Sequence, residues 1–264
     1  MTSSLEGKTV LITGSSGIAA ATAHPAGRLG ARLCVVGIDG EQVDALVEEL
    51  RVEGVAITGE VGDLSEEETV GRVVARCAGE YGRIDGLFNV AGISGRRYGD
   101  GPVHESTFDG WRMTFRHNLD PTWLMCREVT RVMLGQLPDE SGVRGSILNM
   151  ASVLATAPEP HHFATHAYAA AKGAIVSLTT AMASYYAGHL IRVNALAPGL
   201  VRTPMSARAQ TSAEVLELMK RKQPLRAGMI AAGDVARAAI FLLRDESSSI
   251  TGEILLIDAG WRIS

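Results

Sequence analysis

Short apolar runs rich in β-branched residues alternate with helix-patterned stretches along the whole chain, and that alternation leaves few architectures open. The runs are Lys8–Thr13, Arg32–Val36, Val55–Ile57, Gly86–Asn89, Gly145–Met150, Ile191–Leu196 and Glu253–Ile257. Between them lie stretches of helical period: Ile18–Leu29, Val43–Val52, Glu66–Tyr81, Trp111–Leu134, Tyr168–Gly188 and Asp234–Leu243. In the second of these Val43, Leu46, Val47 and Leu50 share one face. Strands that are apolar throughout, separated by helices, are buried on both faces, which requires parallel pairing with helices above and below. No repeat, low-complexity tract or linker interrupts the pattern. The expectation is one doubly wound α/β domain spanning 1–264, a central parallel β-sheet flanked by helices on both faces.

Composition narrows the function classes. With 46% hydrophobic residues the 264-residue chain has ample core. A net charge of −4 with scattered basic residues argues against nucleic acid, whose phosphates call for clustered Lys and Arg. No apolar stretch is long enough to span a bilayer, and the first residues lack the charged-then-apolar layout of a signal peptide. Cys34, Cys77 and Cys126 are far apart, form no metal-ligand spacing and no evident disulfide framework. They are expected to be buried reduced thiols in a cytoplasmic protein that binds no metal.

Glycine is in excess, 29 residues, and the first apolar run ends in Thr13-Gly-Ser-Ser-Gly-Ile-Ala19 before a helix opens. Glycines in that position let backbone amides approach a pyrophosphate, and the helix N-terminus adds unpaired N–H groups and partial positive charge. The context is that of a Rossmann-type dinucleotide site, although the same residues could form an ordinary β–α turn. An acidic residue should follow the second strand to bind the adenosine ribose. Here Val35-Val-Gly-Ile-Asp39 puts Asp39 slightly late, where it could equally cap the next helix. No Arg or Lys stands there to meet a 2′-phosphate, and Ser16 is not basic. The expected cofactor is NAD, with NADP left open.

Tyr168 and Lys172 stand four residues apart, on one face of one helix. A phenol with pKa of about 10 can serve as an acid or base near neutrality only if a cation stabilises its phenolate. Ser152, just beyond the strand ending at Met150, falls where sheets of this kind bind ligands.

With these residues in place, the chain resembles the short-chain dehydrogenase/reductase family, in its one-domain branch, from end to end. The resemblance rests on Thr13-Gly14 and Gly17, Asp63-Leu64, Asn89-Val-Ala-Gly92, Asn118, Ser152, Tyr168 with Lys172, Asn194-Ala-Leu-Ala-Pro-Gly199 with Thr203, Asp234-Val-Ala, Thr251-Gly252 and Asp258-Ala-Gly260. It implies that Tyr168 is the general acid/base and that Lys172 lowers its pKa and binds the nicotinamide ribose. It further implies that Ser152 holds the reacting oxygen and that Asn118 holds a water of a proton relay. Cofactor contacts are implied for Gly14, Ser16, Gly17 and Ile18, for Asp39, for Asp63 and Leu64, for Asn89, Ala91 and Gly92, and for Pro198, Gly199, Val201 and Thr203. Asn89 could instead chiefly stabilise the sheet. The implied reaction interconverts a secondary alcohol and a ketone. Two alternatives are an NADPH-dependent 3-oxoacyl thioester reductase and a member without cofactor binding that serves as a scaffold. A homotetramer or homodimer is implied, built on the helices around Asn118 and Tyr168 and the C-terminal strand.

Three departures from the family pattern stand out. The glycine turn is one residue short, with Ala19 in place of the last glycine. His24-Pro25 falls inside the following helix, where proline should kink it. Ser152 and Tyr168 are 16 residues apart, longer than the common spacing, and the added length forms Ala157–Phe163. In and after that loop, His161, His162 and His166 could meet a polar or anionic substrate, or could simply be surface. Residues 204–225 are expected to cover the substrate, with Val215, Leu216, Leu218 and Met219 as an apolar patch. The Arg96-Arg97-Tyr98 segment carries the same two readings, substrate contact or surface.

Overall fold

In the computed structural model, which describes residues 5–264, the chain alternates as its sequence pattern predicts. It runs β1 (Thr9–Thr13), α1 (Ile18–Arg28), β2 (Arg32–Gly37), α2 (Gly40–Val52), β3 (Ile57–Val61), α3 (Glu67–Tyr81) and β4 (Gly86–Asn89). Then follow α4 (Phe108–Asn118), α5 (Asp120–Gly135), β5 (Gly145–Met150), α6 (His166–Tyr186) and β6 (Ile191–Pro198). The last part holds β7 (Val201–Arg202), α7 (Ala207–Gln210), α8 (Ala213–Lys222), β8 (Ile230–Ala231), α9 (Ala232–Leu243) and β9 (Ile254–Ile257). Seven strands pair in parallel in the order β3-β2-β1-β4-β5-β6-β9, and β7 pairs with β8 separately.

Successive side chains of a strand point to opposite faces, so each strand feeds two cores. On one face Ile12, Val35, Phe88, Leu148 and Leu196 pack against α1, α2 and α9 through Ala23, Leu46 and Val235. On the other, Leu11, Val36, Leu87, Ile147 and Val193 pack against α3 and α5 through Val74, Met125 and Val129. No helix among the described residues is long and apolar enough to cross a membrane. Nor does any group of three or more His, Cys, Asp or Glu side chains there form a metal site.

The structure corrects three expectations. The single helix expected over Trp111–Leu134 is two, α4 and α5, broken at Leu119. Pro121 sits in the first turn of α5 and has no N–H to extend the α4 ladder. Conversely, α1 is continuous through Pro25 to Arg28. Pro25 lies near the helix's end, and Thr22 and Ala23 before it and Ala26 after it are buried, so core packing holds the helix across the missing donor. Third, Cys34 and Cys77, expected as reduced thiols, form a disulfide with Cα atoms 6.0 Å apart. The buried stripe of α3 crosses β2 at that point, a crossing that a separation of 43 residues does not reveal. Cys126 is the free cysteine among the described residues, and it is buried. Protein handled without reductant and then denatured should therefore show one titratable thiol per chain rather than three. A count of three after oxidation would refute the pairing.

Candidate active site

The carboxyl ends of β1, β4, β5 and β6 open into one cleft of about 280 Å³. Its first wall is the turn between β1 and α1. The Gly14 amide donates to the Val36 carbonyl at 2.6 Å, closing the turn onto β2. Gly14 and Gly17 have φ of +99° and +58°, a region that glycine enters without the strain a side chain would bring. A Cβ at Gly17 would also come within 3.1 Å of Thr203. No side chain caps α1, and while the Ala19 amide donates to the Ser16 carbonyl at 3.2 Å, Ile18 beside it lines the cleft. The shortened turn is thus fully formed, and Ala19 is buried beneath Gly14 as a packing residue. Thr13 joins this wall to the next: its hydroxyl accepts from the Val90 and Ala91 amides at 2.9 and 3.0 Å.

The second wall follows β4. Asn118, fully buried at the end of α4, donates through Nδ2 to the carbonyls of Ile93 (3.1 Å) and Thr114 (2.8 Å). Its Oδ1 accepts from the Ile93 amide at 3.3 Å. This amide-to-backbone clamp pins the segment after Gly92 against the helix break. A Cβ at Gly92 would stand 2.7 Å from Asn118 Oδ1 and 3.7 Å from Lys172 Nζ, so only glycine fits there.

The third wall carries Ser152, Tyr168 and Lys172. Ser152 leaves β5 in extended conformation and its Oγ accepts from the Leu154 amide at 3.2 Å, which leaves the hydroxyl proton free to donate. It lies near the Tyr168 phenol and favours its phenolate. Lys172, one helical turn on, is buried and donates to the Met150 carbonyl at 2.8 Å, with Nζ 5.6 Å from the Tyr168 ring centroid. The frame of this wall comes from Asp100, a buried carboxylate that sequence reasoning missed. Its oxygens accept from the Ala167 and Tyr168 amides at 2.9 and 3.0 Å and so cap the first turn of α6. Nothing local in the sequence marks it, because it reaches α6 from far upstream.

Gln223, also missed, secures the fourth wall by pairing with both the amide and the carbonyl of Leu200, at 2.6 and 3.2 Å. Of the sequence-nominated residues, Gly14, Ser16, Gly17, Ile18, Ala91, Gly92, Asn118, Ser152, Tyr168, Lys172, Pro198, Gly199, Val201 and Thr203 all line the cleft. Asp39, Asp63, Leu64 and Asn89 do not. Asp39 caps α2 through the Gln42 amide at 3.2 Å. Asp63 accepts from the Ser65 amide at 2.9 Å. Burial opposes the charge of this carboxylate, but Ser65, with His117 and Arg116 nearby, holds its pKa below the ordinary value. Leu64 is core. Asn89 donates to Asn149 Oδ1 at 2.9 Å inside the sheet. None of the three histidines lines the cleft, and His166 instead accepts the Val103 amide at 3.0 Å. In residues 204–225, Val215 and Met219 are buried against Val153 and Trp261, a helix-packing face.

The family model described as enoyl-(acyl carrier protein) reductase matches residues 12–262. The chain is 34% identical over 261 residues to the D-threitol dehydrogenase of Mycolicibacterium smegmatis, covering 98% of this chain and 94% of that one. The chain belongs to the short-chain dehydrogenase/reductase family. A solved short-chain type dehydrogenase/reductase from Mycobacterium ulcerans superposes with a TM-score of 0.90 at 29% identity, over 98% of this chain and 91% of that one. A gluconate 5-dehydrogenase from Burkholderia cenocepacia, solved in complex with NADP and tartrate, gives 0.89 at 28% identity, over 100% and 98%.

In this short-chain dehydrogenase/reductase the electrostatics of the third wall are set by burial. Burial pushes the Tyr168 phenol up to about 12, against the nearby Ser152 hydroxyl, which favours phenolate. It lowers Lys172 to about 8. Lys172 therefore holds its proton less firmly folded than unfolded, where its pKa is about 10.4. The cost of burying its charge is fully present below pH 8 and fades as pH rises toward 10.4. Each pH unit of that depression is worth about 1.4 kcal/mol, a ceiling of roughly 3 kcal/mol. Lys172→Met should accordingly stabilise the protein at pH 7, with the gain shrinking between pH 8 and pH 10, as read from urea unfolding. A variant less stable than the parent at pH 7 would contradict this.

Proposed function

We propose that the chain is a nicotinamide-dependent oxidoreductase that interconverts a secondary alcohol and a ketone, with Tyr168 as the general acid/base. The observation that carries the reading is the convergence of Ser152, Tyr168 and Lys172 with the open glycine turn in one cleft. The glycine cradle at Gly14, Gly17 and Gly92 fits a dinucleotide, since side chains there would fill the space or strain the backbone. A bound nicotinamide would accept or deliver the hydride.

The chain's own residues handle the proton. In oxidation the Tyr168 oxygen takes the hydroxyl proton while the Ser152 hydroxyl donates to the substrate oxygen and stabilises its developing charge. In reduction Tyr168 returns the proton. A phenol near 12 is a poor base until cationic charge is close. Lys172, one turn away and with two N–H groups left beyond its bond to Met150, is the residue placed to supply it. Asn118 has both amide donors committed, so it would join a proton relay through the second lone pair of Oδ1.

NAD is favoured over NADP because β2 ends at Gly37 and is followed by Ile38 and Asp39, with no base there to meet a 2′-phosphate. Trp261 lines the cleft and makes cofactor binding readable by fluorescence quenching. NADH should quench at lower concentration than NADPH. Tyr168→Phe should bind NADH like the parent while losing at least 100-fold in turnover. A variant with full turnover would refute the acid/base role, and tighter NADPH binding with reduction of 3-oxoacyl thioesters would favour the reductase reading instead. Loss of binding for both cofactors would favour the scaffold.

The same reading includes association of like chains through α4, α5, α6 and β9. It is supported by the exposure of Phe108, Trp111, Trp123 and Tyr185 and by the half-buried apolar side chains of the edge strand β9. Light scattering should give the mass of four chains, or of two. A monomer at micromolar concentration would refute it.

A further inference from the structure

The cleft extends past Ser152 and Tyr168 into a region whose charge the proposed proton and hydride chemistry does not use. Arg96, in the short turn Gly95–Tyr98 after β4, and Arg208, in α7, both line it. The Arg96 guanidinium is half-buried and donates to the His162 carbonyl, which anchors it and leaves most of its N–H groups unspent. The Arg208 side chain makes no hydrogen bond or ion pair among the described residues, and neither arginine has a carboxylate within 4.0 Å there.

The acids nearest Arg96 are committed elsewhere. Asp100 accepts the Ala167 and Tyr168 amides, and Glu159 accepts those of His161, His162 and Phe163. Burial makes the Arg96 charge costly, and the like charge of Arg208 adds to the cost. The surrounding lining is largely apolar, with Leu154, Phe163, Met205 and Trp261. Two guanidinium groups without a carboxylate partner line one largely apolar cleft, the half-buried Arg96 held by a backbone carbonyl and the exposed Arg208 at its rim, an arrangement suited to receive an anion.

We propose that Arg96 and Arg208 form a carboxylate-binding subsite, and that the substrate is a hydroxy acid whose carboxylate docks there while its alcohol carbon meets Ser152 and Tyr168. The proposal rests on the oxidoreductase reading for the second half only; the anion subsite stands on the two arginines. A planar carboxylate matches the guanidinium fork in two parallel hydrogen bonds, which a hydroxyl cannot do. Arg96 fixes one end of the substrate from the wall after β4. Arg208 comes from α7, in the segment that follows Thr203, and also lines the cleft.

The test uses three six-carbon probes: D-gluconate, the neutral polyol D-glucitol, and D-glucitol 6-phosphate. Each is titrated calorimetrically into the full-length protein, with and without saturating NADH, for the parent and for Arg96→Gln and Arg208→Gln. Gluconate should bind at least tenfold tighter than glucitol to the parent, and the ratio should fall toward one in each variant. Reading a ratio within each variant removes any general loss of folding, which the NADH titration monitors separately. Equal binding of acid and polyol, no binding of gluconate, or a preference that survives both substitutions overturns the subsite. Tighter binding of the phosphate than of gluconate overturns its assignment to a carboxylate. An arginine-dependent preference without turnover of any alcohol keeps the subsite and refutes the oxidoreductase reading, so the two failures are told apart.

Discussion

Every strand of the seven-stranded sheet runs in the same direction, and from that one constraint the position of the site follows. A chain that pairs in parallel must return over a face of the sheet before each new strand, so all strand ends of one kind collect along a single edge. The order reverses between β1 and β4, where the crossovers leave to opposite faces and a crevice opens at the carboxyl ends. The glycine turn, the Gly92 segment, Ser152 and the Pro198–Gly199 corner are neighbours because they terminate β1, β4, β5 and β6. Sequence separations of more than a hundred residues become a cleft of side-chain dimensions.

Within that cleft rigidity comes from polar groups tied to backbone. Thr13 holds the amides after β4, Asn118 clamps Ile93, Asp100 caps α6 at Tyr168, and Gln223 braces Leu200. Each is a buried or nearly buried side chain satisfying main-chain donors or acceptors that the loops would otherwise leave unpaired. The cost concentrates at Lys172, whose charge is buried with one carbonyl as its hydrogen-bond partner. A site that keeps such an ammonium against a phenol gives up stability for chemistry, as active sites commonly do.

Most of the fold was legible because periodicity reports burial, and burial decides strand and helix. The glycine turn and the Tyr168–Lys172 pair were legible because their patterns are local: a turn, a helix face, a spacing of four. What the sequence hid depends on long-range placement. Asp100 reaches α6 from a separate loop, Cys77 meets Cys34 only where α3 crosses β2, and Gln223 touches Leu200 across a turn of the chain. The histidines of and after the long loop drew attention by type, yet none lines the cleft; of the arginines there, Arg96 lies in a segment already read as substrate contact or surface, while nothing in the sequence singled out Arg208. The break at Leu119 was missed because the apolar period continues across it, and only the lost donor at Pro121 marks the end of α4.

Trp261 donates its indole N–H to the Ala157 carbonyl at 3.0 Å, and its ring packs edge-on against Phe163 at 5.7 Å. The last turn of the described chain is thereby fastened to both ends of the long loop between Ser152 and Tyr168. Loop and tail behave as a single mechanical part, a floor and a bracket that cannot be remodelled independently. A change of substrate achieved by lengthening the loop would have to be accompanied by a compensating change near the C-terminus. Altering that one corner of the chain would retune the cleft without disturbing Ser152, Tyr168 or Lys172.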